Sequence, residues 1–343
     1  MSNPGSANRT GAPRDVALDA IRCFAIFLVA VIHWASGGWT AASPGWTAVN
    51  IYDSFARVCV PLFYMVSGAL LLGREFTPTS TLRRVWKIAL PLWAWSAIYL
   101  KYYSLTGAPT RGWVVHILSA PVAMHFAFLY ALLWTYLFLP VLSPFFRTTS
   151  SSTHWFILAI WFVGACCVPL YSSITGSPAA TFNVSNVMTG AGYMLLGAVL
   201  RRLRCAHSML ALLVYIASSA ATAWLTARQR ELSGAPSEIY YVYSSPLVAI
   251  ASAAVFVMMR GLNDRIASSG MLVAFLERVA KVSFGIYLAH LLVIAYLATR
   301  GIRFDLISPW VMIPAAAALT LFVTAILVAM IQRVPYLRSI CPS

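Results

Sequence analysis

Charge is what this sequence has least of. Only 10% of its 343 residues are charged, and 9 of those are Asp or Glu against 24 Lys or Arg. A soluble domain carries about 25% charged residues, so an ordinary water-facing surface is excluded. Cysteine is also sparse. Cys23, Cys59, Cys166, Cys167, Cys205 and Cys341 form no C-x-x-C pair, which excludes a zinc-site pattern and a disulfide framework. Packing of small side chains is the role expected of them. Arginine-rich arms and aromatic-basic surfaces are missing too. The net charge of +15 therefore does not point to nucleic acid. No repeat, long linker or second domain stands out, and "RTTSSSTH" at 147–154 reads as a polar loop.

What remains is apolar: 60% of the chain. It comes in blocks of roughly 20 residues, the length that crosses a bilayer's hydrocarbon. The expectation is an all-α, polytopic membrane helical bundle of about ten spans. They run over 17–37, 51–73, 83–105, 125–146, 154–171, 187–203, 207–227, 239–259, 275–297 and 309–332. Residues 108–124 read as an interfacial or re-entrant segment. Residues 1–16 read as a disordered tail, 17–333 as one transmembrane domain and 334–343 as a second tail. The first block carries Arg22 and no A-x-A site follows it, so it is expected to remain in the mature protein. Ten spans put both ends on one side. Thirteen Lys and Arg residues fall in that side's loops, among them Arg74, Arg147, Arg201, Arg202 and Arg260, against six opposite. Both termini are therefore expected to be cytoplasmic, in a multi-pass protein of a bacterial inner membrane that also contacts membrane lipid.

Ionisable groups inside such spans are costly and usually mark a pathway or a site. Arg22 and His33 are eleven residues apart on the first span, which places them on one helix face about 16 Å apart along the axis. Asp19 precedes Arg22 by three residues and is positioned to pair with it. Asp53 and Arg57 share a face of the second span. They read either as a local ion pair or as part of a polar pocket with His33. Ser67 and Gly68 permit close backbone approach near that span's inner end. Arg83, Arg84 and Lys87 open the third span, as a topology signal, a headgroup contact or a ligand site. His125 begins the fourth span and His290 lies late in the ninth, with Tyr287 three residues earlier. Three histidines at similar depth are hard to treat as unrelated packing. His116, His154 and His207 read as interfacial.

Together these stretches resemble the acyltransferase 3 family of integral membrane acyltransferases. Arg22, ten residues and His33 match its Arg/Lys-x10-His signature. "VPLFYMVSG" resembles its second-span motif, "LRRVWKIALPLW" its basic third span, "HFAFLYALLWTYLFLPVL" its His-aromatic segment and "FGIYLAH" its late Tyr-Leu-x-His motif. "SFARVCVPLFYMVSGALLLGRE" and "ATRGI" are similar to the enterobacterial common antigen O-acetyltransferase group. Ala69 departs from it, standing where an aromatic residue commonly follows Ser-Gly, and leaves the acyl chain open.

The resemblance implies transfer of an acetyl group from cytoplasmic acetyl-CoA to a hydroxyl of a carbohydrate or lipid-linked glycan. Acetyl-CoA enters as co-substrate, with no bound cofactor and no metal expected. By analogy His33 is the catalytic base and Arg22, with Arg83, Arg84, Lys87 and Ser67, belongs to the donor side. Arg57 and Tyr287 are candidates to stabilise the oxyanion. Asp53, His125 and His290 are candidates for the acceptor site. Direct transfer and an acyl-histidine intermediate both remain open. A proton-coupled transporter or flippase is the alternative, disfavoured because no inverted repeat or paired broken helix is visible.

Overall fold

The structure is a computed structural model, and it describes residues 15–40, 43–107, 112–176, 186–203 and 207–342. Arg9, Arg14, Arg111, Arg204 and Cys205, and the expected tail through residue 14, lie outside the described residues. Within them the chain is helical and no strand occurs. In order the helices are α1 (Val16–Ala35), α2 (Trp46–Ala56), α3 (Cys59–Leu71), α4 (Pro78–Leu105), α5 (Trp113–Ser119), α6 (Phe126–Leu137), α7 (Leu139–Thr148), α8 (Ser151–Trp161), α9 (Val168–Thr175), α10 (Asn186–Arg202), α11 (Ser208–Ser233), α12 (Pro246–Gly261), α13 (Asn263–Ala267), α14 (Gly270–Thr299) and α15 (Pro309–Arg333).

Among the described residues six helical stretches are long and apolar enough to cross a membrane, or seven if the bent pair α6–α7 counts as one. The other stretches expected to cross fall short for particular reasons. Helix α4 has 28 residues but carries Arg83, Arg84, Lys87 and Lys101, while α10 has 17 and α12 has 16. The expected interfacial segment holds the short, exposed α5, tied down by the Tyr130 hydroxyl on the Ile117 carbonyl.

Prolines place the breaks. Pro61 has no N–H to give the Arg57 carbonyl, so the second stretch is divided into α2 and α3 at Arg57–Val58. Pro140 does the same to the Tyr136 carbonyl, and α6 meets α7 at 60°. A π turn over Phe162–Cys167 joins α8 to α9.

Helix α1 is central and packs on α2, α3, α12, α14 and α15. Its Ala25, Ala30 and Ala35 are fully buried. Helices α8 and α9 lie at the periphery, where Phe156, Ile160, Val163 and Ile174 are exposed. The closest crossing is α3 on α10. A Cβ on Gly68 would stand 1.8 Å from the Met194 carbonyl oxygen, and one on Gly197 would stand 2.1 Å from that of Met65. Without a hydrophobic force between helices in lipid, such backbone contact is a main source of association.

At one end of the bundle Asp15 binds Arg260 at 2.6 Å and Arg201 at 3.5 Å, fastening α1 to α10 and α12. Arg201 also donates to the Ala69 carbonyl at 2.5 Å. Residues 334–342, expected as a tail, fold back onto the bundle. The Trp95 indole donates to the Ile340 carbonyl at 3.0 Å, Gln332 donates to the Cys341 carbonyl at 2.9 Å, and Cys341 is buried.

Gly68→Val is expected to cost at least about 1–3 kcal/mol, because the displaced atoms are backbone, and to lower the folded yield in membranes. Gly73→Ala, where a Cβ meets nothing within 4 Å, is expected to be neutral. Size-exclusion profiles of detergent-extracted protein compare the two.

Candidate active site

Three imidazoles meet in the half of the bundle away from Asp15. The His33 ring lies 5.0 Å from His290 and 6.1 Å from His125, and His125 lies 4.9 Å from His290, centroid to centroid. Helix α1 supplies His33, the first turn before α6 supplies His125 and α14 supplies His290. His33 is half-buried, while His125 and His290 are buried. Tyr99 and Tyr287 flank His125 at 5.6 and 5.5 Å.

Hydrogen bonding fixes part of the proton inventory. His290 Nδ1 lies 2.7 Å from the Tyr287 carbonyl. A carbonyl only accepts, so Nδ1 carries the hydrogen and Nε2 of the neutral ring is left as a bare lone pair. That Nε2 is buried without a partner among the described residues, as are both nitrogens of His125. Buried polar atoms normally find a partner. The cluster therefore has unused capacity to take a proton or bind a hydroxyl. Among the described residues no group of three or more His, Cys, Asp or Glu side chains has the arrangement to hold a metal ion.

Asp53 and Arg57 form a buried ion pair at 2.7 Å, and the Arg57 guanidinium lies 4.4 Å from the Tyr241 ring centroid. Its Nη2 serves Asp53, but its Nε is buried without a partner. Arg57 thus keeps a donor for a developing oxyanion. The Tyr287 hydroxyl instead donates to the His125 carbonyl at 2.5 Å. Of the two oxyanion candidates, Arg57 has the uncommitted N–H.

A cavity of about 310 Å³ opens on the side of α1 that carries Arg22. Arg22, Lys87 and Lys281 supply its positive charge, and Arg22 also lies 3.7 Å from Asp19. Phe63, Phe128, Leu132 and Phe284 form its apolar wall. Ser67 lines it and accepts a hydrogen bond from Tyr136 at 3.0 Å. The inner limit is Tyr287, whose ring touches both His125 and His290. None of the three histidines lines the cavity directly; Tyr287 is the lining residue whose ring contacts two of them.

Most of the expected site residues are thus gathered in three groups. Arg22, Lys87, Ser67 and Tyr287 share the cavity, and His33, His125 and His290 share the cluster behind Tyr287. Asp53 and Arg57 pair beside Tyr241. Arg83 and Arg84 do not line the cavity: Arg83 is exposed, and Arg84 lies 5.8 Å over the Phe76 ring. His154, expected near a membrane interface, is buried and stacked on Phe146 at 4.8 Å. Lys281 was not among the sequence candidates, though an ionisable residue nine positions before His290 in an apolar span is the signal that marks it. Tyr136 and Tyr241 carry no such signal.

Asp53→Asn leaves the Arg57 charge buried and unpaired, a loss of about 3–5 kcal/mol. Asp53→Asn with Arg57→Gln is expected to recover part of it. Thermal midpoints of the two single variants and the double variant in detergent measure the coupling.

A family model described as an acyltransferase domain, of the acyltransferase 3 type, matches residues 15–329. No curated protein and no solved structure matches the chain.

Proposed function

The chain belongs to the acyltransferase 3 family, and from that premise we propose that it is a membrane O-acetyltransferase. It takes the acetyl group of cytoplasmic acetyl-CoA and delivers it to a hydroxyl of a cell-surface or lipid-linked carbohydrate. The glycan acceptor follows the likeness to the enterobacterial common antigen group. In this reading the ten helical stretches all cross a bacterial inner membrane and both ends face the cytoplasm. The cationic mouth of the 310 Å³ cavity is then cytoplasmic and the histidine cluster lies in the outer half.

One observation supports this reading above the others: a single cavity runs from three cationic side chains to the tyrosine that covers the histidine cluster. Coenzyme A is a polyanion on a long thin arm. Its phosphates suit Arg22, Lys87 and Lys281 through charge-assisted hydrogen bonds. The apolar wall suits the arm, and the axial distance of about 16 Å between Arg22 and His33 suits its length. Displacement of the Tyr287 ring then admits the thioester to the cluster.

The chemistry balances with the groups present. His33 accepts the acceptor's hydroxyl proton while its oxygen forms a bond to the thioester carbon. The negative charge that gathers on the carbonyl oxygen is met by the uncommitted N–H of Arg57. The carbon–sulfur bond breaks as the intermediate collapses, and His33 returns the proton to the departing thiolate. The neighbouring rings of His125 and His290 orient the acceptor, and Asp53 keeps Arg57 in place.

His33→Ala, checked for membrane level and folding, is expected to lower acetyl transfer by about 10²–10⁴-fold, the usual contribution of a general base. Near-normal turnover in vesicles removes His33 from this role. Arg22→Ala is expected to raise the KM for acetyl-CoA by about tenfold or more, as loss of a charged hydrogen bond does, with the acceptor KM unchanged. Equal effects on both substrates count against the donor assignment.

A further inference from the structure

A second cavity, of about 340 Å³, lies between the start of α2 and the end of α11. It is lined by Trp46, Asn50, Trp224, Ala227, Arg230 and Glu231, together with Thr47, Ile51 and Ala223. None of these residues belongs to the site described above. Its size is at the lower end of small-molecule sites, which run from about 300 to 1,000 Å³.

The lining has three kinds of group. Trp224 is 63% exposed and offers an open indole face. Arg230 is held 4.2 Å over the Trp46 ring, which fixes its direction. Glu231 is held by Arg228 at 2.6 Å and keeps acceptor capacity on its carboxylate. An interfacial tryptophan anchoring the helix in the bilayer accounts for Trp224 alone. It does not account for an arginine and a carboxylate, both positioned by neighbours, converging on the same hollow. An apolar face beside a few fixed donors and acceptors fits a pyranose ring, which has apolar C–H faces and a rim of hydroxyls.

The floor of this cavity is also a wall of the catalytic layer. Asn50 donates to the Ala223 carbonyl at 2.9 Å, and the Tyr241 hydroxyl sits against the Asn50 oxygens, 3.0 Å from its carbonyl. Tyr241 carries Arg57 on its ring face. Trp39 bridges the same two places, 6.1 Å from Trp46 and 4.9 Å from Tyr241. Seven residues of helix separate Asn50 from Arg57, about 10 Å along the axis.

We propose that this cavity is the acceptor subsite, holding one sugar ring of a glycan so that a neighbouring residue's hydroxyl reaches the Arg57–His33 layer. The inference rests on the acyltransferase reading and deepens it by naming where the acceptor is held. Trp224 stacks on the ring, and Arg230 and Glu231 bond its hydroxyls. The ligand enters from the end of the bundle opposite the acetyl-CoA mouth.

The test places a thiol in the hollow by Ala227→Cys and labels it in right-side-out vesicles with a membrane-impermeant maleimide. The unaltered chain supplies the background from its own cysteines. Maltotriose and N,N′-diacetylchitobiose are the probes. At about 90% occupancy either one slows labelling roughly tenfold, and adding Trp224→Ala abolishes the protection. Failure of both sugars to protect overturns the proposal. So does protection that tracks the anionic lipid content of the vesicles and ignores sugar, which makes the hollow a headgroup site. Acetyl-CoA binding is measured on the same vesicles. If it fails while the sugar still protects, the donor assignment falls and the pocket stands. If it persists without protection, the pocket falls alone. In transfer assays Arg230→Ala is expected to raise the acceptor KM about tenfold or more, the range for a lost charged hydrogen bond, Trp224→Ala is expected to raise it through the lost stacking face, and both are expected to leave the acetyl-CoA KM unchanged. An unchanged acceptor KM in both also overturns it.

Discussion

A polar group inside a bilayer has to be satisfied by the protein itself, because hydrocarbon offers it nothing. That constraint organises the interior of this bundle. Asp53 answers Arg57, the Tyr287 carbonyl answers His290 Nδ1, and the His125 carbonyl answers the Tyr287 hydroxyl. These pairings fix orientation, and each also leaves a specific remainder. Satisfying His290 at Nδ1 strands its Nε2, and satisfying Arg57 at Nη2 strands its Nε. What remains unmet is an acid–base pair of the sort acyl transfer requires: lone pairs to take a proton and an N–H to meet an oxyanion.

The same economy separates the two substrates of the proposed reaction. Acetyl-CoA has a charged head that cannot enter hydrocarbon and a thin arm that can. The first cavity mirrors it, with cations at the mouth and phenyl rings inside. Tyr287 ends that cavity and touches the imidazoles. In the proposed reaction, displacement of its ring brings the thioester and the bases into one space.

Much of this was legible in the chain, for reasons that also mark where legibility stops. The apolar blocks gave the helical stretches, because about 20 residues are needed to cross. The eleven-residue spacing of Arg22 and His33 gave their shared face, because one helix carries both. Depth along an axis can be read this way, so three histidines at one level were foreseeable from separate spans. Azimuth between helices cannot. That is why Arg84, one turn from the cavity-lining Lys87, turns out to lie on Phe76, and why Lys281 lines the cavity without having been a candidate. Tyr241 comes from an irregular stretch after α11, and no periodicity announces it. The break at Arg57–Val58 was written in Pro61, four residues on, where a missing N–H leaves a carbonyl unserved.

That break joins the other features. The broken stretch begins at Trp46 in the outer hollow, passes Asp53 and Arg57 in the polar layer and reaches Ser67 in the inner cavity. A continuous helix would lock all three at one pitch. Interrupting it beneath Arg57 lets α2 follow α11 and Tyr241, while α3 follows α10 through Gly68 and Gly197. Both halves pack on α1, but each has a neighbour of its own, α11 for α2 and α10 for α3, and the residue at their joint is the cation that the proposed chemistry places between its two substrates. A proline in the second stretch, a residue that spanning helices tolerate, here leaves the Arg57 carbonyl unserved and marks the position of a charge.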